Sequence, residues 1–345
     1  MKKGAKILAL AVTPLGWLLL ASAVGTAPVN DALISGDTLP ATLSEFRLLI
    51  GKQGMKANQR VMPYSLNTPL FSDYAEKWRY LYLPKGTQLT WKGEGLPDFP
   101  VGAVLVKSFG FPADIRRPDD NIRMIETRLL LHRKSGWVAL PYVWRADGSD
   151  ADLKRAGMRT DVTWTHSDGK PRTVNYAVPN SNQCKGCHDV SGAIIPIGPK
   201  ARNLAGNPFG LMPTVARVPV WNDPKSGSLD ARAHAYLDAN CGHCHNPQGP
   251  ASNSGLNLNW DEKSPVAKGL GKRPVAAGRA SGGFDFDIAA GHPDQSIMIY
   301  RMESLDPGIS MPELGRNSVH DEGVALLKQW IKQLPDMVPH KEGAS

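Results

Sequence analysis

The stretch Tyr176–His188 reads YAVPNSNQCKGCH: an aromatic and β-branched run, a proline, a polar turn, and then the pentapeptide Cys184–His188. A second pentapeptide of the same form, CGHCH at Cys241–His245, follows with 53 residues between Cys187 and Cys241, and the two use all 4 cysteines of the 345-residue chain. Cys-x-x-Cys-His is the attachment pattern of a c-type haem. Two thiols three positions apart can form thioethers to two vinyl groups of one porphyrin, and the adjoining histidine is set to bind the iron. Two disulfides or a four-thiolate zinc site would draw on the same cysteines. Neither accounts for a histidine directly after each pair. Two haem c groups are therefore expected, tethered by Cys184 and Cys187 and by Cys241 and Cys244, with His188 and His245 as iron ligands.

Upstream of the first motif the chain is a series of short β-branched and aromatic runs. WRYLYLP (Trp78–Pro84), TQLTW (Thr87–Trp91), AVLVKSFGF (Ala103–Phe111), MIETRLLLHR (Met124–Arg133), WVALPYVWR (Trp137–Arg145), DVTWTH (Asp161–His166) and TVNYAVP (Thr173–Pro179) predict strands. Turns fall at Lys85-Gly86, Ser135-Gly136, Asp147-Gly148 and Asp168-Gly169,. Beyond Pro224 the period becomes helical. Ser228 or Asp230 can cap a helix running into Cys241, and Val324, Leu327, Ile331 and Leu334 recur at helical spacing near the C-terminus, with a Gly-rich loop region from about 249 to 291 between,. The expected fold class is α+β in two domains: an antiparallel β domain over 28–220 ending in the first haem-attachment motif, and an all-α domain over 221–345 holding the second.

Residues 1–27 read as a secretory signal peptide, with a basic start, an apolar run from Ile7 to Leu20, and small residues at Ala21-Ser22-Ala23 and Gly25-Thr26-Ala27,. An uncleaved anchor is the other reading. The run is short for a span and carries Pro14 and Gly16, which favours cleavage. The mature chain is then expected in the periplasm or outside the cytoplasm, with no membrane span. The chain has 40 Lys and Arg against 32 Asp and Glu, and loss of Lys2, Lys3 and Lys6 lowers the formal charge from +8 to +5. That balance makes no case for nucleic acid. No Walker A string, G-x-S-x-G or H-E-x-x-H occurs, so phosphoryl transfer, esterase and zinc-protease readings have no support.

The second half resembles class I cytochrome c, on the strength of NCGHCH, of SMPELG around Met311 and of VALLKQWI at Val324–Ile331. The resemblance implies Met311 as the distal iron ligand opposite His245, a soft thioether that sets a high potential. Met298 and Met302 fall at helical spacing in an apolar run and read as core filling. The first half resembles the β-sheet cytochromes related to cytochrome c-prime-beta, through GAVLVKSFGF, RLLLHRKSGWVALPYVW and a cysteine motif after the last strand. In that resemblance His188 binds the first iron and the opposite face is open or weakly ligated, with Met212 in GLMPT as a candidate sixth ligand. Phe109 and Phe111 read as β-core residues, Lys107 as a strand-edge charge, and Lys185, Gly186, Gly242 and His243 as permissive positions inside the motifs. His234 reads as a helix-surface residue with a minor claim to a haem. The whole chain resembles a family of exported bacterial dihaem c-type cytochromes of unestablished function, through YAVPNSNQCKGCH, IGPKARNL and ANCGHCHNP.

The expected function is single-electron transfer between periplasmic redox partner proteins. The alternative is a haem enzyme or gas-binding protein whose open first haem acts on a small nitrogen or oxygen species while the second relays electrons.

Overall fold

The structure is a computed structural model describing residues 27–210, 212–275 and 277–335. The expected signal peptide lies almost wholly outside the described residues. A short helix α1 (Asp31–Ser35) and a small pair, β1 (Leu49–Ile50) with β2 (Lys56–Ala57), precede the main sheet. That sheet is antiparallel and runs in simple sequence order: β3 (Val61–Tyr64), β4 (Glu76–Tyr82), β5 (Val104–Phe111), β6 (Arg123–Arg133), β7 (Gly136–Trp144) and β8 (Ala151–Leu153). A separate hairpin follows, β9 (Met158–Thr165) with β10 (Pro171–Val178). TQLTW forms no strand and contributes a single bridge between Thr90 and Asp98.

Strand alternation divides the sheet into two faces. Tyr80, Tyr82, Val104, Val106, Leu129, Leu131, Leu140 and Tyr142 point to one side, where they form a core with Phe46, Leu48 and Ile34 of the N-terminal segment. Full burial of a leucine such as Leu129 contributes about 1.5–3 kcal/mol. On the other side Leu81 and Leu105 pack with Phe99. Farther along that face come Arg79, Lys107 and Arg128, and this polar surface is where the rest of the chain folds back.

CKGCH is helical. Helix α2 (Ser181–His188) begins at Asn180, whose side chain accepts from Gln183 N at 2.8 Å while Gln183 Oε1 accepts from Asn180 N at 2.9 Å. This reciprocal cap satisfies two otherwise orphaned amides. It replaces the expected passage from strand straight into motif. A hairpin, β11 (Asp189–Val190) with β12 (Ala193–Ile194), follows the helix, so the β-rich part does not end at the motif.

The expectation of an all-α cytochrome c domain over 221–345 is not met. Among the described residues strand and isolated bridges account for 25% and helix for 21%, in five short helices and isolated turns of 3-10 type. The C-terminal helices are α3 (Leu229–Asn240), α4 (Ile297–Glu303) and α5 (Asp321–Gln333). Between α3 and α4 the Gly- and Pro-rich chain folds as loops with short 3-10 turns and parallel bridges, Leu270 to Ile288 and Phe286 to Ser296. Glycine and proline leave too few consecutive helix formers there for another helix. Helix α3 is capped by Ser228, which accepts from Ala231 N at 3.1 Å. Ala233, Tyr236 and Leu237 pack against Leu327, Trp330 and Ile331 of α5.

Buried polar contacts join the C-terminal part to the polar face of the sheet region. Asp238 on α3, 3% exposed, accepts from Lys200 Nζ at 2.9 Å, Arg202 Nη2 at 3.0 Å and Trp260 N at 3.1 Å. Asn240 Oδ1 accepts from Phe71 N at 2.7 Å. Asp73 accepts from Asn317 N at 2.7 Å and from Ser318 N and Oγ at 2.8 and 2.7 Å. Ser318 thus serves this seam, and α5 starts after His320 without a side-chain cap.

Burial alone would raise the Asp238 carboxyl, but Lys200 and Arg202 outweigh it and hold it below its usual range. Its contribution to stability is therefore complete above the unfolded carboxyl value of about 3.9 and is lost as pH falls through the lower folded value. Asp238→Asn should cost about 3–5 kcal/mol at neutral pH, as for a broken buried ion pair. Urea denaturation should also show a shallower loss of stability for the variant than for the parent as pH drops below about 4.

Candidate functional site

Both pentapeptides open onto one cavity of about 620 Å³, within the roughly 300–1,000 Å³ of sites that bury small ligands and cofactors. Cys184, Cys187 and His188 line one part of it, Cys241, His243 and His245 another, and Met311 a third. The motifs are adjacent: Cys244 Sγ lies 4.0 Å from the carbonyl oxygen of Gly186. Fifty-three residues apart in sequence, they meet because the Asp238 anchor sits one helical turn before Cys241.

Gly186 and Gly242 are both sites of close approach. A Cβ on Gly186 would sit 2.9 Å from Leu314 Cδ1, in the loop that carries Met311. On Gly242 it would meet the carbonyl oxygens of Asp238 and Leu258 at 3.0 Å and Asn259 Oδ1 at 3.1 Å. The positions inside the motifs therefore do more than permit a tight loop.

The two motif histidines have defined tautomers. Nδ1 of His188 lies 2.6 Å from the carbonyl oxygen of Ile195, which can only accept, so Nδ1 carries the proton,. Nδ1 of His245 lies 3.0 Å from Ser254 Oγ, whose own hydrogen goes to the carbonyl of Ala251 at 2.7 Å. The hydroxyl accepts, and Nδ1 again is the donor. Burial pushes both rings down to about 4, so they are neutral at pH 7 and Nε2 keeps its lone pair,. An imidazole with Nδ1–H engaged and Nε2 bare is prepared to bind a metal.

The four thiols are unpaired. Burial raises all of them, Cys241 and Cys244 to about 12, so none is a thiolate at neutral pH. Among the described residues no three His, Cys, Asp or Glu side chains gather to hold a bare metal ion. Tethering thiols and a bare Nε2 at each motif fit a covalently held haem.

Of the methionines, Met311 reaches the cavity from the 304–320 segment, held by Met311 N donating to Arg301 O at 3.0 Å. Met298 and Met302 also reach its wall, from α4, but both pack into the apolar cluster with α3 and α5. Met212 does not line the cavity. His234 is turned away, 3.3 Å from Asp230 and edge-on to Trp330.

Sequence reasoning passed over three features. His243 lines the cavity with a buried Nδ1 that has no partner. His320 also faces it, stacked on Phe71 at 4.1 Å and hydrogen-bonded to the Tyr236 hydroxyl at 2.8 Å. Lys107, read as a strand-edge charge, lies mid-sheet on β5 between β4 and β6, and its side chain belongs to the cavity wall. Phe109 and Phe111 are core residues, with the guanidinium of Arg128 4.3 Å from the Phe109 ring.

Backbone carbonyls cannot yield as a side chain can, so Gly242→Ala should lower the urea midpoint by the equivalent of about 1–3 kcal/mol, the usual cost of overpacking. Gly186→Ala meets only a partly exposed leucine and should cost less. No family model, curated protein or solved structure matches the chain, so its function must be argued from the site itself.

Proposed function

We propose that the protein is a dihaem c-type cytochrome that carries single electrons between redox partner proteins in the periplasm. The observation that supports this most directly is the convergence of two Cys-x-x-Cys-His motifs on one cavity, with Cys244 Sγ 4.0 Å from Gly186 O. A haem held at each motif supplies reversible one-electron iron chemistry, with a potential set by its axial ligands and burial.

The remaining work falls to the chain. Cys184 and Cys187, and Cys241 and Cys244, fix each cofactor in place. His188 and His245 offer Nε2 to iron, while Ile195 O and Ser254 Oγ orient the rings and raise their basicity through Nδ1,. Met311 would be the second protein ligand to an iron held by His245, because it lines the cavity and lies outside the apolar cluster that claims Met298 and Met302. Met212, expected as a sixth ligand of the first iron, has no such support. Among the described residues no helix is long and apolar enough to cross a membrane. The periplasmic assignment comes from the sequence alone.

Visible and resonance Raman spectra of the purified protein with and without nitric oxide or carbon monoxide test this reading. Two six-coordinate low-spin haems that ignore both gases are expected of an electron carrier. Gas binding at one haem would instead favour catalysis or sensing there. Met311→Ala should abolish one low-spin, high-potential signature, and Met298→Leu should leave it intact. An unchanged Met311→Ala spectrum removes that ligand assignment.

A further inference from the structure

The main sheet holds a row of like charges that strand pairing alone disfavours. Arg79 on β4 pairs in register with Lys107 on β5, and Lys107 with Arg128 on β6. Like charges directly opposite on one face destabilise a sheet. Lys77, two residues before Arg79 on the same face, adds a fourth cation.

Compensation inside the protein is small. Glu126, fully buried, is engaged by Arg128 at 2.5 and 2.8 Å and by the Tyr176 hydroxyl at 2.7 Å. Arg79 is 8% exposed; its Nη1 reaches only the carbonyl of Lys77 at 3.3 Å, and its Nη2 is buried with no partner. Lys107 Nζ sits 4.8 Å from the Phe109 ring centroid. Among the described residues no carboxylate pairs with Arg79 or Lys107. A buried, unpaired guanidinium is costly unless something else neutralises it. All three side chains of the row border the cavity that also holds Cys184, Cys187 and His188.

We propose that Arg79, Lys107 and Arg128 form an anion site in the cavity wall, taking a carboxylate or a small oxyanion beside the first cysteine motif. Arg79 Nη2 and Lys107 Nζ are the donors left for it. Arg128, committed to Glu126, adds charge. A guanidinium next to an ammonium suits planar oxyanions, since the first binds through a fork and the second as a point charge. Burial and the flanking guanidiniums push Lys107 well below the usual lysine range, an effect a bound anion would reverse. The anion has two sources: a carboxylate of the macrocycle tethered at Cys184 and Cys187, which rests on the proposed function, or a free oxyanion such as nitrite or phosphate, which does not.

The test uses the purified full-length mature protein, its Arg79→Met and Lys107→Met variants, which remove the charge and keep an unbranched stem, and Lys134→Met at an exposed turn as control. Isothermal titration with nitrite and with phosphate is combined with haem midpoint potentials and melting temperatures. With a free oxyanion as occupant, the parent binds one equivalent, and affinity falls at least about tenfold in both row variants and not in the control. With the macrocycle's carboxylate as occupant, the parent binds neither ion. One haem potential then falls in both row variants, because each has lost a cation that favours the reduced form. Failure to bind either ion, unchanged potentials, and row variants that melt above the parent through relief of repulsion would overturn the site. Protein lacking covalent haem defeats the proposed function but leaves the titration decisive: binding keeps the site and its absence removes it.

Discussion

The buried carboxylate of Asp238 is the interaction on which the arrangement of the site depends. It sits on the last turn of α3, just ahead of Cys241, and is held by Lys200 and Arg202 from the segment just beyond the first motif. A buried charge is stable only if its partners come to it, so the two stretches that carry the cysteines are drawn together. Asp73 and Asn240 extend the same seam at either side, pairing backbone amides that the joining of the two parts would otherwise leave unsatisfied,.

That seam explains why one cavity serves both motifs. The apolar face of the main sheet is closed by the N-terminal segment, which leaves the polar face for α2, the loops after it and the C-terminal helices. Each motif ends on a histidine fixed at Nδ1 by an acceptor from its own local loop, Ile195 O in one case and Ser254 Oγ in the other. The two ligand sets are thus built independently but open into shared space. Under the proposed function, adjacency of this kind would suit rapid electron exchange between two haems more than two separate reactions.

How much was legible in the sequence follows the range of the forces involved. Six of the seven runs read as strands between Trp78 and Pro179 are strands, TQLTW being the exception, because side-chain alternation and turn residues act over a few positions, and the Ser228 cap of α3 was readable for the same reason. The cysteine pentapeptides themselves are plain in the sequence because their spacing is a five-residue pattern,. Helix α2 was missed although Asn180 and Gln183 carry a capping signal; VNYAVPNSNQ read as a strand-like segment running into the motif with no helical lead-in. The all-α reading of the C-terminal part gave too much weight to its two end helices and too little to the glycines and prolines between them. Lys107 looked like an edge charge because nothing local reveals that its strand is central. The meeting of the motifs depends on Asp238 and its partners, contacts between residues 36 and 38 positions apart, and no local pattern announces them.

The central claim is that each Cys-x-x-Cys-His motif holds its own haem. The most direct measurement is the intact mass of the mature protein, expressed with a working cytochrome maturation system, beside variants in which one cysteine pair is changed to alanine. The account predicts two covalent tetrapyrrole adducts in the parent and one in each variant, Cys184→Ala/Cys187→Ala and Cys241→Ala/Cys244→Ala. A colourless parent, or one whose mass carries fewer than two adducts, would contradict it.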